Sequence, residues 1–359
     1  MFASKNLKKD IRSLSFEQLQ EWILQNQLPK YRAQQIYDWL WLKNISLFEE
    51  MSDVPKSLRT LLSDSFNITQ IQAQTIQIAK DKTIKCAIKL YDNNVVESVL
   101  IPTTTRATAC ISSQVGCSLD CKFCATAKLE RMRNLSYQEI YQQVYFIKNL
   151  AKEKYNLPLT NIVYMGMGEP LLNYQNTIKS IELITSPKGL GMSPQRITIS
   201  TSGIAKMIVK LADDNYKGNL ALSLHAAIEE KRVKIMSISE SNNLAMLADS
   251  LNYFYEKTGT RPTLEYVMLN DFNDSIKDAQ ALINFCRKVK SKVNLIEYND
   301  VEGSAFKKTS KEKLEAFINH LELNKVIVTV RRSRGKDIDA ACGQLVNKNP
   351  LFSNVLTNS

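Results

Sequence analysis

The chain has 359 residues, of which 44% are hydrophobic and 23% charged. These are the proportions of a globular protein, so the composition excludes wholesale disorder and collagen-like structure. The length exceeds the roughly 100–200 residues of one domain, and we expect a large domain with a smaller one. No stretch approaches the roughly 18 apolar residues of a membrane-spanning helix. Residues 1–18 also lack the apolar centre of a secretory signal, so we expect a cytoplasmic protein without a membrane contact.

Basic residues outnumber acidic ones by 47 to 36, which gives a formal net charge of +11. A cytoplasmic protein this basic is expected to bind a polyanion, and RNA or DNA is favoured over a membrane surface. The basic side chains cluster at 287–292, 307–308 and 331–336, although a solvated basic surface would look the same. Seven cysteines, an odd number, favour metal binding or thiol chemistry over a disulfide framework.

The first third of the chain predicts a small, mainly helical domain. Residues 6–65 read as helical, with Ser15 and Gln18 at the spacing of a capping box and a second apolar helix over 31–42. A β-like segment over 71–91 follows. We place a domain boundary near residue 92, at Asp92-Asn93-Asn94, so that 1–92 forms an accessory RNA-binding domain.

From residue 93 the pattern alternates between strands and helices. Repeated βα units predict a parallel sheet, and six of them fit a partial (β/α)6 barrel over 93–345, with a doubly wound open sheet as the alternative. Residues 346–359 are predicted to form a C-terminal tail. The predicted strands are 107–112, 161–165, 196–200, 219–224, 263–269 and 292–298, followed by a last β run at 326–331. The predicted helices are 136–152, 174–184, 204–212, 243–257, 275–289 and 310–323.

Unusual residues follow successive predicted strands. In a barrel of this kind, reactive side chains collect at the carboxyl ends of the strands. A cysteine cluster follows the first strand, and the later strands end in short glycine-, serine- or histidine-containing motifs. These are Gly166-Met167-Gly168-Glu169-Pro170, Ser200-Thr201-Ser202-Gly203, Ser223-Leu224-His225 and Asn299. The sequence therefore predicts one functional face.

The cysteine cluster places Cys117, Cys121 and Cys124 within eight residues. Thiolates at this spacing suit zinc or an iron–sulfur cluster. A structural zinc site takes four ligands, so it would need His225 or Cys110 to complete it. Three ligands alone suit a four-iron cluster with one iron open to substrate.

The CxxxCxxC motif resembles the signature of the radical S-adenosylmethionine (SAM) superfamily. The motifs after the later strands, together with Asp337-Ile-Asp-Ala-Ala-Cys342-Gly-Gln, resemble the dual-specificity RNA adenine-C2 methyltransferases of that superfamily. The resemblance runs from about residue 97 to 345, with a weaker match at Tyr31-Arg32-Ala-Gln-Gln-Ile-Tyr. It implies a TIM-like radical SAM barrel, a [4Fe–4S] cluster held by Cys117, Cys121 and Cys124, and two SAM molecules per turnover.

The resemblance also implies SAM-binding residues. Each has an ordinary structural reading beside the functional one: a turn for the glycine and asparagine, helix capping for the serines, and a core position for the histidine. The SAM-binding residues that the resemblance implies are Gly168, Glu169, Ser200, Ser223, Leu224, His225 and Asn299.

Three further residues take catalytic roles by the same resemblance. Cys342 would carry the methyl group as S-methylcysteine, and Cys110 would release the product by forming a transient disulfide with it. Glu97 would remove the C2 proton, although alone it reads as an exposed strand glutamate. A buried structural thiol is the ordinary reading of Cys342.

The implied function is methylation of an adenosine in the 23S rRNA peptidyl-transferase centre and of an adenosine next to the anticodon in tRNA. We expect a monomer that takes electrons from a donor such as flavodoxin. One alternative is the related C8-adenosine methyltransferase that confers antibiotic resistance. Another is a non-catalytic, metal-containing RNA-binding protein.

Overall fold

The computed structural model describes residues 8–345, so the predicted tail at 346–359 lies outside the described residues. The N-terminal part is helical, as predicted. The Ser15 capping box is confirmed, because Ser15 Oγ accepts from the Gln18 N–H and Gln18 Oε1 accepts from the Ser15 N–H. The elements here are β1 (Lys9–Asp10), α1 (Phe16–Gln25), α2 (Tyr31–Trp41), α3 (Lys56–Ser65) and β2 (Phe66–Asn67).

Three antiparallel strands come next: β3 (Gln72–Ile78), β4 (Ile84–Lys89) and β5 (Val95–Pro102). They form a meander in which β4 pairs with both neighbours. Asp92 stabilises the turn between β4 and β5 by accepting from the Asn94 N–H, and Asn93 takes a left-handed φ of 67°. The boundary predicted near residue 92 therefore coincides with a hairpin turn.

The remaining elements alternate as predicted, with the short strands β7 and β8 between the first strand and its helix. They are β6 (Ala107–Cys110), β7 (Gln114–Val115), β8 (Arg133–Asn134), α4 (Tyr137–Tyr155), β9 (Leu159–Tyr164), α5 (Tyr174–Thr185), β10 (Ile197–Thr201), α6 (Ala205–Asp213), β11 (Asn219–Ser223), α7 (Glu229–Ile235), α8 (Leu244–Thr258), β12 (Thr263–Met268), α9 (Ile276–Lys288), β13 (Lys292–Glu297), α10 (Lys311–Leu323) and β14 (Val328–Arg331).

One ten-stranded sheet carries the barrel, in the order β14-β13-β12-β11-β10-β9-β6-β5-β4-β3. The strands from β6 to β14 in this order are parallel, and their order follows the chain without the reversal of a doubly wound sheet. This confirms the partial barrel, to which β14 adds a seventh parallel strand. The sequence placed the segment 71–91 in the N-terminal domain, but β3 and β4 extend the barrel sheet, because β4 pairs with β5 along its whole length.

The parallel strands bury both faces, but with different side chains. One set of alternating residues, such as Leu220, Leu222 and Leu264, is fully buried in the apolar core. The opposite set lines the inside of the barrel and places polar residues, including Thr263, Glu265 and Asn294, among apolar ones. The interior is therefore a cavity with mixed polar and apolar walls. No helix in the described part of the chain is long and apolar enough to cross a membrane.

The N-terminal helices are joined to the barrel by buried polar contacts. Arg12 is fully buried and donates to the carbonyl groups of Ile45 and Thr69. From α4 of the barrel, Tyr141 donates its hydroxyl proton to the Trp41 carbonyl, and Tyr137 donates to the Arg12 carbonyl. The helices thus pack directly on the first helix of the barrel.

Candidate active site

The three clustered cysteines lie in the loop between β7 and β8 and line one cavity at the carboxyl ends of the strands. The loop is fixed by its own backbone, since the Cys124 N–H donates to the Cys121 carbonyl at 3.0 Å. It is also tied to the segment around Cys342, because the Ala125 N–H donates to the Gly343 carbonyl at 2.7 Å. We call this space the first cavity.

The three cysteine thiols of the first cavity fit a [4Fe–4S] cluster, in which each cysteine binds a different iron and one iron stays open to a ligand. Burial raises the pKa of the Cys117 thiol to about 11 and also raises the pKa of Cys121 and Cys124, so a metal centre is needed to hold them as thiolates.

Glu169 is placed by a glycine. Gly168 has a left-handed φ of 94°, and a Cβ there would come within 2.5 Å of Gln114 Cβ. The close approach lets Gln114 Oε1 accept from the Glu169 N–H at 2.8 Å. The buried Glu169 carboxylate accepts from the N–H groups of Leu171 and Ser202 and from the Ser202 hydroxyl. Burial raises its pKa, and these hydrogen bonds oppose that rise.

The Thr201 hydroxyl also hydrogen-bonds the Glu169 carboxylate, which lines the first cavity. A carboxylate in this position can also attract a cationic amine that enters the cavity. The hydroxyl groups of Ser200 and Ser223 line the same cavity. Leu224 is fully buried and does not belong to that lining; its N–H donates to the Glu265 carbonyl.

His225 lies in the first cavity as a neutral imidazole. Burial, with Arg232 nearby, lowers its pKa to about 3. Its Nδ1 accepts from the Val267 N–H at 3.1 Å, which assigns the proton to Nε2. The residue has a left-handed φ of 56° and packs edge-on against Phe123, with the ring centroids 4.5 Å apart. The hydrogen bond from Val267 and the packing on Phe123 fix the orientation of the ring in the first cavity.

Asn299 connects the end of β13 to Cys342. Its side-chain amide donates to the carbonyl groups of Glu297 and Cys342, both at 3.4 Å. Cys342 itself is exposed to the cavities but surrounded by protein. Desolvation raises the pKa of its thiol, and Arg331 opposes that rise.

A second cavity, of about 760 Å³, fills the barrel interior. Cys110 and Cys342 both line it, with Met165, Glu265 and Arg331 around them. Burial raises the pKa of Cys110 to about 12, and Arg331 acts to lower it. Cys342, Met165, Glu265 and Arg331 line both cavities, so Cys342 lies where the two cavities meet.

Glu97 does not line either cavity. It is buried on β5 and forms an ion pair with Lys85, with 3.4 Å between Nζ and Oε1. Lys85 also donates to the Asp339 carbonyl at 3.3 Å, which connects Glu97 to the segment preceding Cys342. The structure thus brings Cys110 and Cys342 together but leaves Glu97 in an adjacent, ion-paired position.

Sequence reasoning missed Glu265 and misread Arg331. Arg331 belongs to the basic cluster 331–336, which we expected to contact phosphates; instead its guanidinium contacts Met165 Sδ at 3.2 Å inside the barrel. Two other members are paired within the protein, Arg334 with Asp81 at 2.8 Å and Lys336 with Glu297 at 2.9 Å. Strand alternation carried the missing signal, because Glu265 occupies an inward position between Thr263 and Val267.

Two family models match the chain. The ribosomal RNA large subunit methyltransferase N-terminal domain matches residues 9–68, and the Radical SAM superfamily matches residues 111–283. Among solved structures, a radical SAM methyltransferase from Sphaerobacter thermophilus has a TM-score of 0.89 and 34% identity, covering 94% of this chain and 99% of that chain. Together with the barrel and its three-cysteine loop, these matches define a radical SAM enzyme, and membership of that superfamily implies a [4Fe–4S] cluster and SAM.

The particular family follows from full-length relatives. A probable dual-specificity RNA methyltransferase RlmN of Flavobacterium psychrophilum is 54% identical over 341 residues, covering 95% of this chain and 98% of its own. The dual-specificity RNA methyltransferase RlmN of a Nitratiruptor species is 40% identical, covering 95% and 98%. The chain belongs to the RlmN family. These comparisons favour neither the C8 methyltransferase nor the non-catalytic RNA-binding protein considered from the sequence.

Proposed function

We propose that this chain methylates C2 of an adenosine in the 23S rRNA peptidyl-transferase centre and of an adenosine 3′ of the anticodon in tRNAs. The position of Cys342 between the two cavities is the observation that supports this proposal most directly. A methyl group bound to Cys342 would lie beside the cofactor residues on one side and a space for a base on the other. We also propose that the enzyme is cytoplasmic, monomeric and reduced by a donor such as flavodoxin.

The chemistry requires a carbon radical because C2 of adenine is electron-poor and is not a nucleophile. When bound, the cluster and two molecules of SAM would supply one methyl group, one electron and an adenosyl carbon radical that removes a hydrogen atom from the S-methyl group. Cys117, Cys121 and Cys124 would hold the cluster. Glu169, Ser200, Ser223, His225 and Asn299 would bind SAM, and Gly168 would shape the loop that presents Glu169.

Cys342 would accept the methyl group on its thiolate and later carry the reacting carbon. Addition of that carbon to C2 would join protein and RNA through a thioether. The adduct would then give up the C2 proton and one electron, for which the cluster, when bound, would be the acceptor. Cys110 would attack the Cys342 sulfur as a thiolate, so that an S–S bond forms and the S–C bond breaks. The bond pair stays on the released carbon, which takes up a proton to become the methyl group.

The proton of C2 would pass to Glu97. Its burial and its contact with Lys85, which reaches the Asp339 carbonyl, are what support this role. Glu97 lies outside the lining of the second cavity. Proton transfer to Glu97 would therefore require the 339–342 segment to move towards it. A thiol reductant must then reopen the Cys110–Cys342 disulfide before the next turnover.

Reconstitution under anaerobic conditions tests the function. The protein is loaded with iron and sulfide, then mixed with SAM, a reductant and an unmodified 23S rRNA fragment or tRNA. Mass spectrometry reads the nucleosides and the Cys342 peptide, with Cys342→Ala as the test variant and Cys286→Ala, on α9, as its matched control. We expect 2-methyladenosine from the wild type and Cys286→Ala and none from Cys342→Ala.

Other products would contradict specific parts of the proposal. Formation of 8-methyladenosine would keep the mechanism and reject the C2 assignment. Absence of any methylated nucleoside from both RNAs, with the cluster intact, would reject the RNA methyltransferase function.

A further inference from the structure

Glu265 carries a buried carboxylate oxygen without a partner. The residue lies on β12 and is 4% exposed, and its Oε1 accepts from Asn294 Nδ2 at 2.9 Å. Its Oε2 has no hydrogen-bond partner. Leaving a buried carboxylate oxygen unpartnered is unfavourable, so such an atom in a cavity indicates a site for a ligand that donates a hydrogen bond.

The orientation of Glu265 is fixed from behind. Thr329, on β14, donates its hydroxyl proton to Asn294 Oδ1, and Asn294 in turn donates to Glu265. In register, Glu265 pairs with Ser223, which places it at the level of the cofactor residues. It shares the lining of both cavities with Cys342, with one oxygen held by Asn294, the other buried without a hydrogen bond, and Arg331 near its charge.

The charge of the second cavity indicates what its ligand is. Its exposed basic lining residues lie at both ends of the strands: Arg106 and Lys292 at the amino ends of β6 and β13, and Arg332 after the carboxyl end of β14. Arg332 therefore lies at the end where Cys342 is, and it suits an RNA phosphate. Among the residues described as lining this cavity, Glu265 is the one carboxylate, so a base that enters from the Arg332 end meets a single acidic acceptor.

Adenine presents one donor group on its base edges, the exocyclic amine at C6, and otherwise ring-nitrogen acceptors. We propose that Glu265 accepts a hydrogen bond from the C6 amino group of the target adenosine and so orients C2 towards Cys342. This inference rests on the proposed function and names the residue that positions its substrate. A base with a carbonyl group at C6 would be rejected, because its carbonyl oxygen and the Glu265 carboxylate are both hydrogen-bond acceptors.

SAM also contains an adenine, but the contacts favour the RNA base. Gly168, Glu169, Ser200, Ser223 and Asn299 line the first cavity and are absent from the lining of the second. Asn294, which holds Glu265, lines only the second cavity. Glu265 lines both cavities, and the residue that holds its side chain approaches from the side of the second cavity.

The test uses an RNA whose target adenosine is replaced by purine riboside, which lacks the C6 amino group. We compare single-turnover methylation of adenosine RNA and purine RNA by the wild type and by Glu265→Gln, which would turn an amide donor towards the cavity. Loss of a hydrogen bond to a charged group predicts that the wild type is about 10- to 100-fold slower on purine RNA. On adenosine RNA, the methylation rate of Glu265→Gln should be about 10- to 100-fold below that of the wild type. The rate of this variant should fall by no more than about threefold when purine RNA replaces adenosine RNA.

A matched control and two further readouts separate positioning from structural damage. Glu297→Gln changes a carboxylate at the same end of the barrel that lines only the first cavity, and it should keep the full preference for adenosine. Cys342 methylation by SAM without RNA should be unchanged in Glu265→Gln. Equilibrium binding of both RNAs to SAM-free protein should show the same loss of discrimination as the rates.

Three outcomes would overturn the inference. The first is an equal methylation rate of both RNAs by the wild type, a result that does not depend on the folding of any variant. The second is a Glu265→Gln variant that still discriminates fully, and the third is a loss of RNA-independent Cys342 methylation in that variant, which would assign Glu265 to SAM. If the wild type methylates neither RNA, the proposed function fails with it, a result distinct from the other three.

Discussion

The two cavities that meet at Cys342 are built in different ways. The first is lined by short motifs at the strand ends, and the protein itself satisfies most of their polar atoms: N–H and hydroxyl donors bind Glu169, and the Val267 N–H binds His225. The second is lined mainly by single side chains spaced along eight strands, from β5 to β14. There the buried Glu265 keeps an unpartnered oxygen and Arg331 contacts a methionine sulfur.

This difference indicates a division of labour. A preorganised cavity suits a small cofactor that binds in the same pose at every turnover. A cavity whose polar groups remain incomplete suits a ligand that supplies the missing partners, here a base extruded from RNA. We therefore expect changes in the first cavity to affect both Cys342 methylation and RNA methylation. Changes in the second cavity should affect only the RNA-dependent steps.

The largest effect is expected from Cys117→Ala, which removes a cluster ligand from the first cavity. Both Cys342 methylation and RNA methylation should fall by on the order of 10³ or more, because neither half of the reaction proceeds without the cluster. Iron content and visible absorption report the cluster, and mass spectrometry reports both products. Cys86→Ala, a buried cysteine of β4, is the control. Persistent Cys342 methylation without iron would contradict the division between the cavities.

Cys110→Ala is expected to separate the two half-reactions. Cys110 lines only the second cavity, so Cys342 methylation should continue while release of the RNA slows by at least about 100-fold. A covalent protein–RNA adduct should accumulate and be visible as a shifted band on a denaturing gel. Turnover at the wild-type rate without an adduct would show that another group releases the product.

The contrast between the cavities also explains what the sequence could predict. The predicted cluster- and SAM-binding residues stand mostly in contiguous motifs, where residue type and spacing can be read together, and all of them except Leu224 line the first cavity. The alternating strands and helices of the barrel could be predicted because polar motifs separate apolar runs from segments of helical period. The parallel strands and most helices of the barrel follow the predicted segments within a few residues at either end.

The second cavity and the β meander could not be predicted in the same way. Glu265 is one polar residue within the strand Thr263–Met268, and its meaning depends on which neighbours the barrel places opposite it. In the sequence Arg331 is one of several basic residues at 331–336, and its position at the end of β14, inside the barrel, is visible only in the structure. The segment 71–91 was assigned to the wrong side of a boundary because a hairpin turn at Asp92-Asn93 has the same composition as a linker.

Arg232 provides a test of preorganisation in the first cavity. It is fully buried beneath the ends of β10 and β11, where it donates to the carbonyl groups of Ser202 and Leu224 and to the Ser239 hydroxyl. Arg232→Met would leave these acceptors unpaired, and we expect the free energy of unfolding to fall by about 3 kcal/mol. Urea denaturation measures this loss, and the exposed Arg196→Met should stay within about 0.5 kcal/mol of the wild type.

Arg331, which lines both cavities, is expected to act on the rate of product release instead of on stability. The pKa of Cys110 is raised to about 12 by burial, and Arg331 is among the groups that lower it. Removal of this positive charge in Arg331→Met should raise the pKa further and reduce the thiolate fraction at any pH below it. Release of the protein–RNA adduct should then slow by about 3- to 10-fold, whereas Arg331→Lys, which keeps the charge, should lie closer to the wild type.

The pH dependence gives this last prediction its sign. Below the pKa of Cys110 the thiolate fraction rises about tenfold per pH unit, so release should accelerate from pH 7 to 9 in the wild type and in both variants. Arg331→Met should follow a parallel curve displaced to higher pH, so that a more alkaline solution restores its rate. Rapid-quench measurement of adduct release over this range gives the displacement. Superimposable curves would mean that Arg331 does not act on the thiol, and the second cavity would then owe its reactivity to the RNA it binds.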